Sequence, residues 1–244
     1  MKRCIAAFSL LLAACGGSSK TEVVVFAAAS LTEPFQAIGT AFERTHPEIG
    51  IRFNFGPSDG LATQINDGAP AAVFASASER WMDAVAGKRG VRQREVFARN
   101  RLAIIVPASN PAHIASLSDV ARTGVKVVVA ARGVPAGDYA RQVFAKAGIS
   151  AEANIVSNEE SVKGVVQKIL LAEADAGIAY ETDVSAAVSQ RVRLIHIPDA
   201  ENIAASYPIA LVGSHASRSA ADFIEYVMGE GQTVLRSLGF LPPS

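Results

Sequence analysis

Four short stretches of this sequence put hydroxyl-bearing or small residues where an apolar run gives way to a helical pattern. Ser30 follows Ala27-Ala28-Ala29 with Glu33 three residues on, the spacing of a capping box, and Pro34 is tolerated in a first helical turn. Ser58 lies within Gly56-Pro57-Ser58-Asp59-Gly60, and Ala136 within Val134-Pro135-Ala136-Gly137. Val162 closes Ser157-Asn158-Glu159-Glu160-Ser161-Val162. The first N–H groups of a helix lack an intrahelical acceptor and carry a partial positive charge. Several such ends aimed at one point would hold an oxyanion without Lys or Arg. Taken singly, each stretch serves equally well as the cap of its own helix.

The second stretch allows another chemistry. Gly56-x-Ser58-x-Gly60 matches the nucleophile elbow of serine hydrolases, with Asp183 or Asp199 and His196 or His215 available downstream. Against a hydrolase, a single strand precedes the strand that leads into Ser58 once a leader is set aside, and no HGGG-type segment lies upstream to build an oxyanion hole. His46, His113, His196 and His215 have no metal-ligand spacing, so no metal cation is expected. Walker A, GxGxxG and CxxC patterns are absent, and no cofactor is expected.

Alternating elements must position these stretches. Residues 22–26 form an apolar run fit for a buried strand, and Leu31, Phe35, Ile38 and Phe42 recur at helical spacing. Ile51, Phe53 and Phe55 alternate as a second strand, followed by a helix through Leu61, Ile65 and Asn66. Further strands are predicted at 73–75, 102–106, 125–130, 154–157, 176–180 and 194–197, and helices at 139–147, 162–172 and 183–190. Such alternation implies an α/β fold with a largely parallel sheet, whose ligands sit beyond the strands' carboxyl ends.

Taken together, the segments resemble a known family. FAAASLTEPF, GLATQI, GAPAAVFASAS with Trp81-Met82-Asp83, VPAGDYAR, ESVKGVVQKI and GIAYETD occur in the order found in periplasmic molybdate-binding proteins of ABC importers. The resemblance spans residues 23–240. It implies a two-lobed, type II periplasmic-binding-protein-like fold, each lobe a mixed, mostly parallel sheet flanked by helices, joined by two crossover strands. The crossovers are expected at 102–107 and 207–212, dividing the chain into 21–101 plus 209–244 and 102–208. The resemblance also implies the site: hydroxyls and backbone of Ser30 and Ser58, backbone N–H groups of Ala136 and Val162, and the Tyr180 phenol, together holding molybdate or tungstate. The implied partners are a membrane permease and its ATPase, with the binding protein itself a monomer and not an enzyme. A sulfate- or phosphate-type oxyanion binder is the alternative. The family commonly has an Asp where this chain has Ala72 and an acid or amide-like residue where it has Ser78. Asp59 is expected to favour its helix N-terminus while pointing away from the guest.

Donor-only chemistry supports this ligand on its own terms. A buried dianion is costly unless its oxygens accept hydrogen bonds. A fully deprotonated oxyanion needs donors alone, whereas hydrogen phosphate also needs an acceptor.

Composition sets the compartment and the exclusions. Lys2 and Arg3 precede an apolar run over residues 5–14 that ends in Leu12-Ala13-Ala14-Cys15. That is the pattern of an export signal, and the tetrad resembles the lipobox of bacterial lipoproteins. Cleavage would make Cys15 a lipid anchor to the membrane and residues 16–19 a flexible tether. Cys4 leaves with the signal, so no internal disulfide is possible. Removing fourteen residues from 244 leaves 230, with 21 basic against 23 acidic side chains, a net charge of −2. With 50% hydrophobic residues and no basic excess, neither disorder nor a nucleic-acid partner is indicated. Trp81 reads as a packing anchor on a helix, and the basic stretch from Lys88 to Arg101 as a solvated face.

Overall fold

A computed structural model describes residues 20–213 and 217–243. The signal segment, Cys15 with its tether, and His215 lie outside the described residues.

Strands and helices alternate in the first part of the chain. β1 (Thr21–Ala28) leads through a 3-10 turn (Ala29–Leu31) into α1 (Thr32–Thr45). β2 (Ile49–Gly56), α2 (Ser58–Asn66), β3 (Val73–Ala75) and α3 (Glu79–Arg89) follow. Phe35, Ile38 and Phe42 form the buried stripe of α1, as their spacing predicts. Phe35 and Phe42 meet Phe97 and Phe223 at centroid distances of 5.4–6.2 Å in tilted and edge-on contacts.

β4 (Val91–Pro107) is a 17-residue strand that changes partners half-way. Up to Arg101 it pairs antiparallel with β9 (Ala204–Val212); from Leu102 it pairs with β7 (Ala176–Tyr180) and β8 (Val192–His196). Between these lie α4 (Leu117–Val120), β5 (Val127–Ala130), α5 (Pro135–Lys146), β6 (Ile155–Glu159) and α6 (Val162–Leu170). The chain ends in α7 (Arg218–Met228) and α8 (Gly231–Ser237).

The strand order is β2-β1-β3-β9-β4-β7-β5-β6, with β8 also on β4. Parallel pairs flank β1 and β5, and every antiparallel pair involves β4 or β9. The sheet is therefore mixed, with four pairings of each kind.

Three elements differ from the sequence reading. The helix expected over 183–190 is absent: a 3-10 turn (Glu181–Asp183) is followed by short turns. Asp183 accepts the Tyr180 N–H at 3.1 Å, capping that single 3-10 turn, which the chain does not continue as a helix. The first half of β4 was hidden by its charge. Residues 92–95 are all exposed while Phe97, Ala98 and Asn100 are buried, and register shifts interrupt the pairing, so neither an apolar run nor a regular alternation marks the strand. β9 extends back to Ala204, so 207–212 lies wholly inside a strand paired with β3 and the first half of β4.

Candidate functional site

Parallel pairing brings the four helix starts together. Ala28 at the end of β1 is in register with Gly56 at the end of β2, so Ser30 and Ser58 emerge side by side. Ala130 at the end of β5 is in register with Glu159 at the end of β6, which does the same for Ala136 and Val162. β7 runs parallel to β5 and ends in Tyr180. The antiparallel run of β4 turns the first set of strand ends to face the second. Ser30, Ser58, Ala136, Val162 and Tyr180 all line one cavity, together with Ser161 and small or apolar neighbours such as Ala28, Ala77 and Val134.

Local sequence fixes each donor. Pro135 occupies the first position of α5, so Ala136 supplies that helix's first N–H. Gly137 follows because a Cβ there would lie 2.2 Å from the carbonyl oxygens of Ala130 and Ala131. Only glycine lets α5 start directly on the end of β5. The Ser58 hydroxyl oxygen accepts the Ala77 N–H at 3.0 Å, leaving its own proton for the cavity. Ser161 caps α6 by accepting the Gly164 N–H at 3.4 Å, and Val162 is the first residue of that helix. Ser30 Oγ lies 3.0 Å from the Tyr207 hydroxyl, which is itself fully buried.

Tyr180 is 1% exposed, and its hydroxyl, beside the Tyr207 phenol, makes no hydrogen bond of good geometry among the described residues. Burial pushes its phenol well above the ordinary value, with Tyr207, Tyr139 and Asp183 acting the same way. The group stays protonated and is a donor in want of an acceptor. Asp183, buried behind it, has its carboxyl raised by burial; Lys163, 3.1 Å away, opposes that shift.

Among the described residues, no Lys, Arg, Asp, Glu or His lines the cavity. Its free volume of about 20 Å³ suits one small guest, since sites for organic ligands run to roughly 300–1,000 Å³. The wall can therefore hold a compact anion through neutral donors. Among the described residues, no cluster of His, Cys, Asp and Glu could hold a metal ion.

The hydrolase reading is corrected by the same geometry. His196 pairs with Glu181 at 2.8 Å on an exposed face, Asp199 pairs with Arg101 at 3.2 Å, and Asp183 braces Tyr180. None of these lines the cavity, so among the described residues no base stands beside Ser58. Asp59 does not line the cavity either, although one of its carboxylate oxygens is buried without a partner.

Two residues have more to do than the sequence suggested. The Trp81 indole, on α3, donates to the Gly133 carbonyl at 2.7 Å, bridging the two groups of strands. Beside it Arg80 pairs with Asp138 of α5 at 3.1 Å, its guanidinium 4.9 Å from the Trp81 ring. Tyr207 carried no signal beyond its apolar strand. Arg94 and Lys88, from the basic stretch, pair locally with Glu79, Asp83 and Asp67.

Comparison with known proteins identifies the family and the fold. The sequence pattern of the bacterial extracellular solute-binding protein family matches residues 23–241. The molybdate-binding protein ModA of Mycobacterium tuberculosis is 36% identical over 247 residues, covering 95% of this chain and 93% of that protein. ModA of Haemophilus influenzae is 31% identical over 244 residues, covering 95% of each. The periplasmic molybdate-binding protein of Azotobacter vinelandii superposes with a TM-score of 0.79 at 19% identity, over 91% of this chain and all of that one.

Proposed function

The chain belongs to the bacterial extracellular solute-binding proteins, and from that premise we propose that it captures molybdate, or tungstate, and delivers it to an ABC importer. It is a binding protein and not an enzyme; energy for transport is spent by a partner ATPase. The observation that carries the ligand reading is the cavity itself: serine hydroxyls, helix-start N–H groups and a buried, unpartnered phenol converge on a space for one small guest.

Ser30, Ser58, Ala136, Val162 and Tyr180 hold the anion. Each oxygen of a bound dianion accepts charge-assisted hydrogen bonds, which are about twice as strong as neutral ones. No full counter-charge is needed, and without one the site does not attract every passing anion.

The donors lie on two lobes, 21–101 with 204–244 and 102–203. This division moves the second boundary from the expected 208/209 to the start of β9; the pairing of β9 from Ala204 onward with β3 and the first half of β4 supports the move. An anion that touches both lobes binds the closed form better than the open one, and only such differential affinity shifts the balance. Trp81–Gly133 and Arg80–Asp138 are closed-form contacts. The closed, loaded shape is what the permease receives, and loading is expected to compact the protein in small-angle scattering.

The Leu12-Ala13-Ala14-Cys15 tetrad supports export and anchoring through a lipid on Cys15, with the protein working as a monomer. Metabolic labelling with a fatty acid, lost in Cys15→Ala, tests the anchor.

Calorimetric titration with molybdate, tungstate, sulfate and phosphate at neutral pH tests the ligand. Molybdate and tungstate are expected to bind far more tightly than phosphate, with sulfate set apart by its smaller size. A preference for phosphate would reverse the assignment.

A further inference from the structure

Among the described residues, the side-chain oxygens in the cavity wall all belong to hydroxyls, those of Ser30, Ser58, Ser161 and Tyr180. A serine hydroxyl can donate or accept, so a wall of serines does not by itself distinguish a bare oxyanion from one carrying a proton. Here the oxygen side of the serines is occupied from within the protein. Ser58 accepts from the Ala77 N–H at 3.0 Å and Ser161 from the Gly164 N–H at 3.4 Å. Backbone amides cannot reverse, so one lone pair of each of these hydroxyls is committed to the protein and its proton is left for the guest.

Ser30 is engaged differently, by the Tyr207 hydroxyl at 3.0 Å, a contact in which either oxygen could give the proton. A guest dianion decides the direction. Ser30 gains most by donating to the charged guest, and its oxygen then accepts from Tyr207. Tyr207 is fully buried at the protein-facing side of the serine and does not line the cavity. Burial holds its phenol above the ordinary value, so it retains the proton it must give.

We infer that Tyr207 is a positioning residue for selectivity: by donating to Ser30 Oγ it turns the serine proton toward the guest and disfavours oxyanions that themselves carry a proton. This rests on the oxyanion reading of the cavity. A hydrogen phosphate needs one acceptor in the wall. For Ser30 to accept from it, the serine proton must turn away from the guest toward Tyr207, and the phenol proton must then leave Ser30 Oγ for the neighbouring Tyr180 hydroxyl or Asn100 side chain.

The test compares sulfate with phosphate, which are close in size, so that their affinity ratio isolates the proton. Titrations at mildly alkaline pH use the whole exported chain, wild type and Tyr207→Phe, with molybdate as reference. Tyr207→Phe is expected to weaken sulfate and molybdate together while weakening phosphate less, so the sulfate-to-phosphate ratio falls about fivefold. In a Ser30→Ala background the same substitution should leave the ratio unchanged, because its partner is gone. A wild type that binds none of the anions overturns the oxyanion reading and this inference with it. A wild type that binds molybdate, with a ratio unmoved by Tyr207→Phe, overturns the inference alone. Should the variant not fold, solution NMR of the molybdate-loaded wild type decides. A slowly exchanging Tyr207 hydroxyl proton close to the Ser30 β-protons is expected, and its absence refutes the assignment.

Discussion

Replacing Trp81 by Phe tests closure without touching the anion. The indole N–H of Trp81 donates to the Gly133 carbonyl at 2.7 Å, from α3 on one lobe to the turn before α5 on the other. When the lobes separate, both groups are hydrated, so the bond is specific to the closed form. Its net value is that of an ordinary intramolecular hydrogen bond, about 0.5–1.5 kcal/mol. The neighbouring Arg80–Asp138 pair is 66% and 28% exposed at its two side chains. It is screened and adds less than about 1 kcal/mol. Apparent affinity scales with the fraction of molecules able to close, so the lost bond passes into binding. Trp81→Phe should therefore weaken molybdate binding roughly 2- to 12-fold. Isothermal calorimetry at fixed ionic strength measures this. Trp81 is the chain's single tryptophan, so wild-type fluorescence reports the same event directly. Its emission should change on loading as the indole leaves water for the Gly133 carbonyl. A folded Trp81→Phe protein with wild-type affinity, or an emission spectrum indifferent to molybdate, would refute the latch.

Other perturbations act on the cavity wall. Tyr180→Phe should give effects of opposite sign. It removes a charge-assisted donor and weakens molybdate binding about 10- to 100-fold, yet it deletes a buried hydroxyl without a partner and should raise the melting temperature of the unloaded protein. Calorimetry and thermal melts on one preparation check both. Because burial pushes the Tyr180 phenol well above the ordinary value of about 10, it stays a neutral donor in mild alkali. Molybdate affinity should accordingly be flat from about pH 8 to pH 10; a loss with a midpoint near 10 would contradict the burial argument. Gly137→Ala would drive a Cβ to 2.2 Å from two backbone oxygens. It should cost about 3 kcal/mol or more, read by chemical denaturation, and displace the Ala136 donor.

Much of the fold could be read from periodicity because most elements are buried in the simplest way. The apolar run of β1 and the Phe35–Ile38–Phe42 stripe of α1 state their roles directly. The first half of β4 could not be read so: Arg92, Gln93, Arg94 and Glu95 describe a solvated surface, and only pairing with β9 makes them a strand. The absent helix over 183–190 is a different case. Asp183 caps one 3-10 turn, and the Ala/Val-rich stretch after it continues as short turns despite adequate propensity.

The site divides along the same line. Helix starts are local events, so turn chemistry marks the four stretches that hold Ser30, Ser58, Ala136 and Val162, while the choice of these residues as donors comes from the family resemblance. What local sequence cannot say is which side of each hydroxyl faces the guest, since that depends on residues distant in the chain. Ser58 is oriented by Ala77, nineteen positions away, and Ser30 by Tyr207, 177 positions away. A donor set becomes selective only when its acceptor lone pairs are already engaged, and that engagement belongs to the tertiary fold. For the same reason a sequence that keeps all five cavity residues but loses Tyr207 would be expected to bind oxyanions while discriminating less well among their protonation states.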